Sequence, residues 1–282
     1  MSGTLRIRPA LREPRWVVAL LVTIALAWVA LFLVLPLVVV LTEALRHGLP
    51  RFLAAIQSPD SLAAMRLTLL IAAIAVPVNM VLGIAIAWAV AKHDFHGRPL
   101  LAAIVDLPLS VSPVVAGLVF VLLFGAHGWF GPWLAAHDIK IIFAVPGMVL
   151  ATVFVTMPYV ARAMIPLMRR QGVDEEEAAA TLGAGTWTTL FRVSLPNASL
   201  GLLYGVLLCN ARAMGEFGAV AVVSGNIRGE TTTLPLQVEI LHNEYDEAGA
   251  FAVAALLALL ALVTLVLKAA LERRMKARGG QG

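Results

Sequence analysis

The feature that most constrains this chain is an apolar run over residues 16–41, which contains no charged side chain. A helix needs about 20 apolar residues to cross the hydrocarbon core of a bilayer, so this run is long enough to span. The whole chain has the same character, because 60% of its 282 residues are hydrophobic and only 13% are charged. A soluble domain would carry about 25% charged residues. The sequence therefore predicts a polytopic membrane protein.

The charged residues before this run raise the alternative of a secretory signal peptide. Residues 1–15 contain four arginines and one acid, namely Arg6, Arg8, Arg12, Arg15 and Glu13. A signal peptide has the same order of charge and apolar core, but its core is only about 7 to 15 residues long. We therefore expect the run to remain in the protein as a membrane anchor.

We predict an all-α fold with six transmembrane helices. The predicted spans are residues 16–41, 67–91, 100–124, 141–167, 200–223 and 248–267. They form one membrane domain, residues 16–270, between an N-terminal tail, residues 1–15, and a basic C-terminal tail, residues 271–282. The third span contains Asp106, Pro108 and Pro113, so we expect an irregular helix that faces protein or a water-filled cavity rather than lipid. Between the fifth and sixth spans we expect a long polar loop.

The positions of the basic residues predict the orientation in the membrane. Fourteen of the 21 lysines and arginines lie in the two tails and in the loops around residues 92–98 and 169–192, which share one side. Four lie in loops on the opposite side, and Arg66, Arg162 and Arg212 lie within or at the edges of spans. By the positive-inside rule both termini are cytoplasmic. The net charge of +4 thus reflects topology and does not indicate a nucleic-acid partner.

The one long polar interruption with an ordered pattern is the 172–196 segment. Asp174 can cap a helix, and Glu177 three residues later completes a capping-box pattern. Three alanines follow as strong helix formers, and Gly183 and Gly185 then break the helix before Thr186 starts a second one. We predict a helix, a sharp turn and a second helix, with a small-residue face that another protein can approach closely.

The chain lacks the sequence motifs of several kinds of catalytic and nucleotide-binding site. No lysine follows a glycine, so there is no phosphate-binding loop of the G-x-x-x-x-G-K type. No nucleophile elbow or H-E-x-x-H motif is present, and no predicted span contains a histidine. His93 and His96 lie beside Lys92 and Arg98, which indicates a solvated turn rather than a metal site. We expect no metal, no cofactor and no enzymatic activity of this chain, so the energy for any transport would come from a partner.

The 172–196 segment resembles the cytoplasmic coupling loop of binding-protein-dependent ABC importer permeases. The family pattern is E-A-A, three residues, G, nine residues and I-x-L-P. It falls here on Glu177, Ala178, Ala179, Gly183, Val193, Leu195 and Pro196, with valine in place of isoleucine. The resemblance implies the architecture of a type I importer permease, with these residues docking on a separate ATPase.

Residues 211–245 resemble more narrowly the CysW-type permease subunits of sulfate/thiosulfate ABC importers. The runs E-F-G-A-V, S-G-N-I-R-G and T-L-P-L-Q-V-E-I-L carry most of this likeness. A permease for molybdate or another oxyanion is the alternative within the same class. A proton- or sodium-coupled secondary transporter is the alternative from another class. It predicts inverted halves and titratable groups at the membrane midplane, for which only Asp106 and Glu216 qualify.

The resemblance implies a complex in the bacterial inner membrane, surrounded by lipid. Its other members would be a second, CysT-like permease, two copies of a CysA-like cytoplasmic ATPase that bind ATP and magnesium, and a periplasmic sulfate- or thiosulfate-binding protein. This chain would itself bind neither ATP nor magnesium.

The fifth predicted span carries an arginine near mid-membrane depth, where insertion costs at least about 2.5 to 3.5 kcal/mol. Arg212 is one helix turn from Glu216, with Asn210 close by and Ser224 at the end of the span. The pair could simply neutralise itself within one helix. Alternatively these four residues line the translocation path or hold a gate between the permease subunits.

Overall fold

The computed structural model describes residues 14–279, without the side chains of Arg15, Lys268 and residues 271–279. Every regular element within 14–279 is helical. Most of the predicted tail 1–15, and the side chains and last three residues of the tail 271–282, lie outside the described residues. The helices in chain order are α1 Arg15–Val29, a π-helical turn Ala30–Val34, α2 Leu35–Leu45, α3 Leu49–Ile56, α4 Pro59–Lys92, α5 Arg98–Ser110, α6 Pro113–Phe124, α7 Gly131–Ala136, α8 Val145–Arg170, α9 Asp174–Thr181, α10 Thr186–Thr189, a second π-helical turn Leu190–Ser194, α11 Leu195–Asn197, α12 Ser199–Met214, α13 Gly218–Ser224, α14 Leu234–Asn243 and α15 Glu247–Gly279.

Helices long and apolar enough to cross a membrane account for most of the described chain. Four are continuous, namely Trp16–Leu45, Pro59–Lys92, Val145–Arg170 and Glu247–Leu267. Two further candidates are bent pairs, Arg98–Ser110 with Pro113–Phe124 at 107° and Thr186–Asn197 with Ser199–Met214 at 77°. Counting each bent pair as one span gives six. The predicted all-α membrane fold is confirmed.

The bend in the third span lies between α5 and α6. Val111 and Ser112 both have extended backbones, with ψ near 134°. Pro113 is the first residue of α6, and a proline disfavours the helical conformation in the residue before it. The irregularity expected for this span is therefore a full break of the helix.

The fifth span differs from the continuous helix predicted over residues 200–223. Helix α12 ends at Met214, and α13 begins at Gly218 after a short non-helical stretch. Gly215 and Gly218 weaken a helix here, and the Glu216 side chain supplies an alternative acceptor for a backbone N–H at the start of α13. Hydropathy is high on both sides of the break, so it gave no sign of this interruption.

The predicted long polar loop between the fifth and sixth spans is also wrong in part. Helix α14 lies within it, and Leu234 and Leu236 are fully buried. The N–H of Leu234 donates to Thr68 Oγ1 at 2.8 Å, which ties the start of α14 to α4. Apolar burial of Leu234 with Ala64 and Val253 explains why this segment folds back onto the bundle.

The centre of the bundle is the packing of α4 and α12 against α8. A Cβ placed on Gly83 of α4 would lie 2.6 Å from Val160 Cβ of α8, and one on Gly205 of α12 would lie 2.8 Å from Val160 Cα. Glycine at these two positions therefore permits a close approach of the backbones. Asn79, fully buried in α4, donates to Thr156 Oγ1 at 2.7 Å, so this polar group in mid-span has a partner on α8.

Candidate functional site

The 172–196 segment folds as the predicted helix, turn and second helix. The turn contains Gly183, whose φ of +83° favours glycine because a side chain is strained in this region. The N–H groups of Gly183 and Ala184 donate to the carbonyls of Ala180 and Ala179, which ends α9 with its last carbonyls bonded. Helix α10 then starts at Thr186.

The predicted capping box at the start of this segment is wrong. Helix α9 begins at Asp174 itself, and Val173 occupies the N-cap position without a side-chain hydrogen bond. Asp174 and the three glutamates that follow it all lie in the first turn. Their negative charges favour α9 through the helix dipole rather than through a cap.

The residues singled out in this segment fall into an exposed and a partly buried group. Glu177, Ala178, Gly183 and Pro196 are exposed, whereas Ala179, Val193 and Leu195 are partly buried. Leu182 and Trp187, which lie on either side of the turn, are among the most exposed large apolar side chains of the chain. Trp187 also stacks on Phe191, with ring centroids 6.2 Å apart. The tip of the segment is thus an apolar surface without a cover in the isolated chain.

A buried ion pair ties this segment to the end of α4. Lys92 Nζ lies 2.7 Å from Glu176 Oε1, with side chains only 4% and 17% exposed. Lys92 also donates to the carbonyl of Gly172, and Ser194 Oγ donates to Glu176 Oε1 at 2.9 Å. One carboxylate therefore joins α4, α9 and the second π-helical turn.

The pKa of Glu176 reflects these contacts. Burial alone would raise it, but the hydrogen bonds from Lys92 and Ser194, helped by the Lys92 charge, outweigh burial and hold the pKa below its ordinary value. Glu176 is thus ionised throughout the physiological range. The sequence interpretation of Lys92 as part of a solvated turn is wrong, because its side chain is buried against the 172–196 segment.

A cleft of about 490 Å³ opens beside this ion pair. Its walls come from the end of α4 and from α9 and α10, and include Trp88, His93, Glu177, Ala180 and Thr186. Within residues 14–279 no three His, Cys, Asp or Glu side chains come together in a way that could hold a metal ion.

The break between α12 and α13 contains the Arg212 and Glu216 pair. Arg212 Nη2 lies 2.9 Å from Glu216 Oε2, and the Glu216 side chain is 1% exposed against 33% for Arg212. Glu216 Oε1 accepts the N–H of Ala219 at 3.0 Å, which caps α13. Glu216 therefore contacts both Arg212 of α12 and the start of α13.

The other two residues predicted for a path or gate lie apart from this pair. Asn210 contacts Met214 Sδ and borders a cleft between α4, α12 and α15. Ser224 is buried at the end of α13, where its Oγ accepts the N–H of Asn226 at 3.2 Å. The structure thus brings Arg212 and Glu216 together and gives Asn210 and Ser224 separate local contacts.

A second ion pair within the spans joins Asp106 of α5 to Arg162 of α8. Arg162 Nε lies 2.7 Å from Asp106 Oδ1, and its Nη2 lies 3.1 Å from Oδ2, so the contact is bidentate. The side chains are 58% exposed for Arg162 and 41% for Asp106. Sequence reasoning noted each charge in its span but did not pair them. The only sequence signal for this pairing was the presence of two opposite charges in separate spans.

The chain is similar to known membrane transport proteins over most of its length. Residues 79–277 match the family model described as binding-protein-dependent transport system inner membrane component. The chain is 53% identical over 255 residues to the sulfate transport system permease protein CysW of Synechocystis sp., covering 90% of this chain and 92% of the relative. It is 49% identical over 265 residues to CysW of Escherichia coli K12, covering 94% and 91%.

A related protein and a solved structure extend this similarity. The sulfate transport system permease protein CysT of Escherichia coli K12 is 37% identical over 233 residues, covering 83% of this chain and 84% of the relative. Among solved structures, a chain of a bacterial alginate ABC transporter in complex with an alginate-bound periplasmic protein has a TM-score of 0.78. It is 17% identical and covers 92% of this chain and 95% of its own length, so this likeness concerns the fold.

Proposed function

Because the chain belongs to the family of binding-protein-dependent transport system inner membrane components, we propose that it is a permease subunit of an ATP-driven sulfate/thiosulfate importer. The observation that carries this proposal is the identity of about half of all residues to CysW proteins over some nine-tenths of both chains. An inner membrane component of such a system is a multi-pass transport subunit. The sulfate dianion has no proton to release at neutral pH, so its passage requires hydrogen-bond donors rather than acid–base chemistry.

In this proposal the 172–196 segment docks on a separate cytoplasmic ATPase. Its exposed tip, with Leu182, Gly183 and Trp187, supports a protein contact, since such apolar groups gain most from being covered. Glu177, at the edge of the adjoining cleft, adds charge to this surface. ATP and magnesium bind to that partner, and hydrolysis of the ATP supplies the energy for transport.

The Lys92–Glu176 pair gives this docking a mechanical consequence. Glu176 belongs to the docking helix α9, and Lys92 is the last residue of the 34-residue α4. Helix α4 packs directly on α8 where Gly83 meets Val160. A displacement of α9 by the ATPase would therefore move α4, and through α4 the centre of the bundle. This is how an event in the cytoplasm can reach the spans.

The complete importer contains this chain, a CysT-like permease, two copies of a CysA-like ATPase and a periplasmic binding protein. Similarity to a protein named CysT supports the pairing of two permeases with a shared fold. The excess of Lys and Arg on one side supports a cytoplasmic location for both termini and for the 172–196 segment.

The test is uptake of labelled sulfate by proteoliposomes that contain all four components of the complex. We expect ATP-dependent uptake that also requires the binding protein, is lost when this chain is omitted, and is competed by thiosulfate. Uptake of molybdate in place of sulfate would contradict the assigned substrate. Transport by this chain without any ATPase would contradict the assigned class and favour an ion-coupled carrier.

A further inference from the structure

The Asp106–Arg162 pair lies at membrane depth. Asp106 is eight residues after Arg98 at the start of α5, and Arg162 is eight residues before Arg170 at the end of α8. At 1.5 Å per residue, each lies about 12 Å from the helix end that faces the 172–196 segment. The two counts agree, as they must for side chains in contact, and helices that begin or end near the membrane surface therefore place the pair within the hydrocarbon region, which is about 30 Å thick.

The exposure of this pair is incompatible with contact to lipid. Roughly half of each side chain is uncovered in the isolated chain. Charged groups inside a membrane are costly and face the bundle interior or a water-filled cavity. Arg162 lies about two turns further into its helix than the exposed Arg169 and Arg170 at the helix end. Water or another subunit must therefore cover this face in the membrane.

The break between α5 and α6 supports the same conclusion independently. Non-helical backbone at membrane depth is tolerated only where protein buries it or where it lines a water-filled cavity. Ser110 and Ser112, on either side of Val111, are exposed rather than buried by this chain. Ser110 is also four residues after Asp106, so the two side chains share one face of α5.

We propose that the face formed by Asp106, Ser110 and Arg162 lines the water-filled half of the translocation path nearest the ATPase, and that Arg162 there exchanges the Asp106 carboxylate for the passing oxyanion. This rests on the proposed function and adds to it the residue that contacts the substrate. Sulfate can present two oxygens to a guanidinium as a carboxylate does, and Arg162 already makes this bidentate contact with Asp106.

The Asp106 carboxylate explains how the site can release the oxyanion instead of holding it. A path must bind its ion well enough to admit it and weakly enough to release it. Asp106 competes with the oxyanion for Arg162, so the bound state is short-lived. When no anion is present, Asp106 neutralises the arginine and keeps the path stable.

Cysteine accessibility tests which surface this face meets. Cys209 is the only cysteine of the chain and is buried, so this chain adds no background, and the other subunits are used in cysteine-free form. Ala103 and Ser110, both exposed, flank Asp106 on its face of α5 and are replaced singly in the full complex. Ala103→Cys and Ser110→Cys should react with a neutral maleimide, which needs a thiol ionised by water. Leu26→Cys, on the exposed face of a span free of charge, is the unreactive control.

The exchange of Asp106 for the anion predicts how sulfate affects this labelling. Sulfate should slow the reaction of Ser110→Cys, and chloride should not. In the Ser110→Cys background, Asp106→Asn should lower the sulfate concentration that protects the cysteine from labelling. In the same background, Arg162→Lys should raise that concentration by about tenfold, because the bidentate contact is lost. Arg46→Lys, at an exposed pair with Glu43, should leave it unchanged.

Different results separate failure of this assignment from failure of the proposed function. If the wild-type complex takes up no sulfate, the proposed function fails. If it takes up sulfate but both cysteines stay as unreactive as Leu26→Cys, then lipid or a subunit covers this face and the path assignment fails. Labelling that sulfate does not slow would refute the exchange at Arg162. The cysteine variants leave the Asp106–Arg162 pair intact, so the labelling experiment does not depend on whether Arg162→Lys folds.

Discussion

Replacing Lys92 by methionine should uncouple ATP hydrolysis from transport. Methionine keeps much of the length of the side chain but removes its charge and its donors. Glu176 then loses its ionic partner, and the Gly172 carbonyl loses its donor. The Ser194 hydroxyl still donates a hydrogen bond to Glu176. We therefore expect α9 to detach from α4 more easily, while its exposed docking surface is unchanged.

The size of this effect follows from the burial of the two partners. Removing one partner of a fully buried pair costs about 3–5 kcal/mol. Glu176 remains 17% exposed and keeps the hydrogen bond from Ser194. We therefore expect the interaction that holds α9 to α4 to weaken by about 1.5–3 kcal/mol, the range for hydrogen bonds to charged groups. At 1.4 kcal/mol for each factor of ten, the ratio of attached to detached α9 falls by about 10- to 100-fold.

The assay compares ATP hydrolysis with sulfate uptake in the same proteoliposomes. In Lys92→Met the ATPase should still bind and hydrolyse, but uptake per ATP should fall by about tenfold or more. Glu176→Gln should give a similar defect, and the double variant should be little worse than either single one, because both changes break the same contact. An unchanged ratio of uptake to hydrolysis in Lys92→Met would refute the role of this pair.

Three further expectations concern Gly183, Glu176 and the Arg212–Glu216 pair. Gly183→Ala should destabilise the turn by about 1–2 kcal/mol, because residue 183 has a positive φ. Gly183→Asp should abolish uptake while the chain still inserts into the membrane. Normal ATPase binding by Gly183→Asp would contradict this expectation. Because the folded pKa of Glu176 lies below its ordinary 4.5, its contribution is complete above pH 4.5 and is lost only as the pH falls through that lower value. Protease resistance of the segment should thus be constant from about pH 8 to 5, and a transition near neutrality would be inconsistent with it. Arg212→Ala should reduce the amount of assembled complex as well as transport, since it leaves the buried Glu216 without a counter-ion, at a cost of about 2–3 kcal/mol after discounting for the exposure of Arg212. Full assembly of Arg212→Ala would show that Glu216 does not need this partner.

Local chemistry was sufficient to predict much of the 172–196 segment. The end of α9 and the start of α10 follow from Gly183, because its backbone conformation is one that other residues avoid. The start of α9 was harder, since Asp174 is acceptable both as a cap and as a first-turn residue. Only the path of the preceding chain decides between these two roles.

Contacts between distant residues could not be predicted in the same way. The Lys92–Glu176 pair joins residues 84 positions apart, and the Asp106–Arg162 pair joins residues 56 positions apart. Both depend on how the spans pack, which hydropathy does not specify. The break after Met214 was missed for a related reason, because apolar segments lie on both sides of it and hydropathy therefore gave no sign of an interruption.

The carboxylate of Glu216 has a consequence for how the start of α13 meets other anions. A free helix start offers N–H donors that attract anions from solution. Here the donor of Ala219 is already taken by an anion that is covalently part of the chain and cannot diffuse away. This donor is therefore satisfied whether or not another anion is present. Any oxyanion that reached this donor would have to displace a tethered carboxylate of the same charge, so the start of α13 disfavours anion binding.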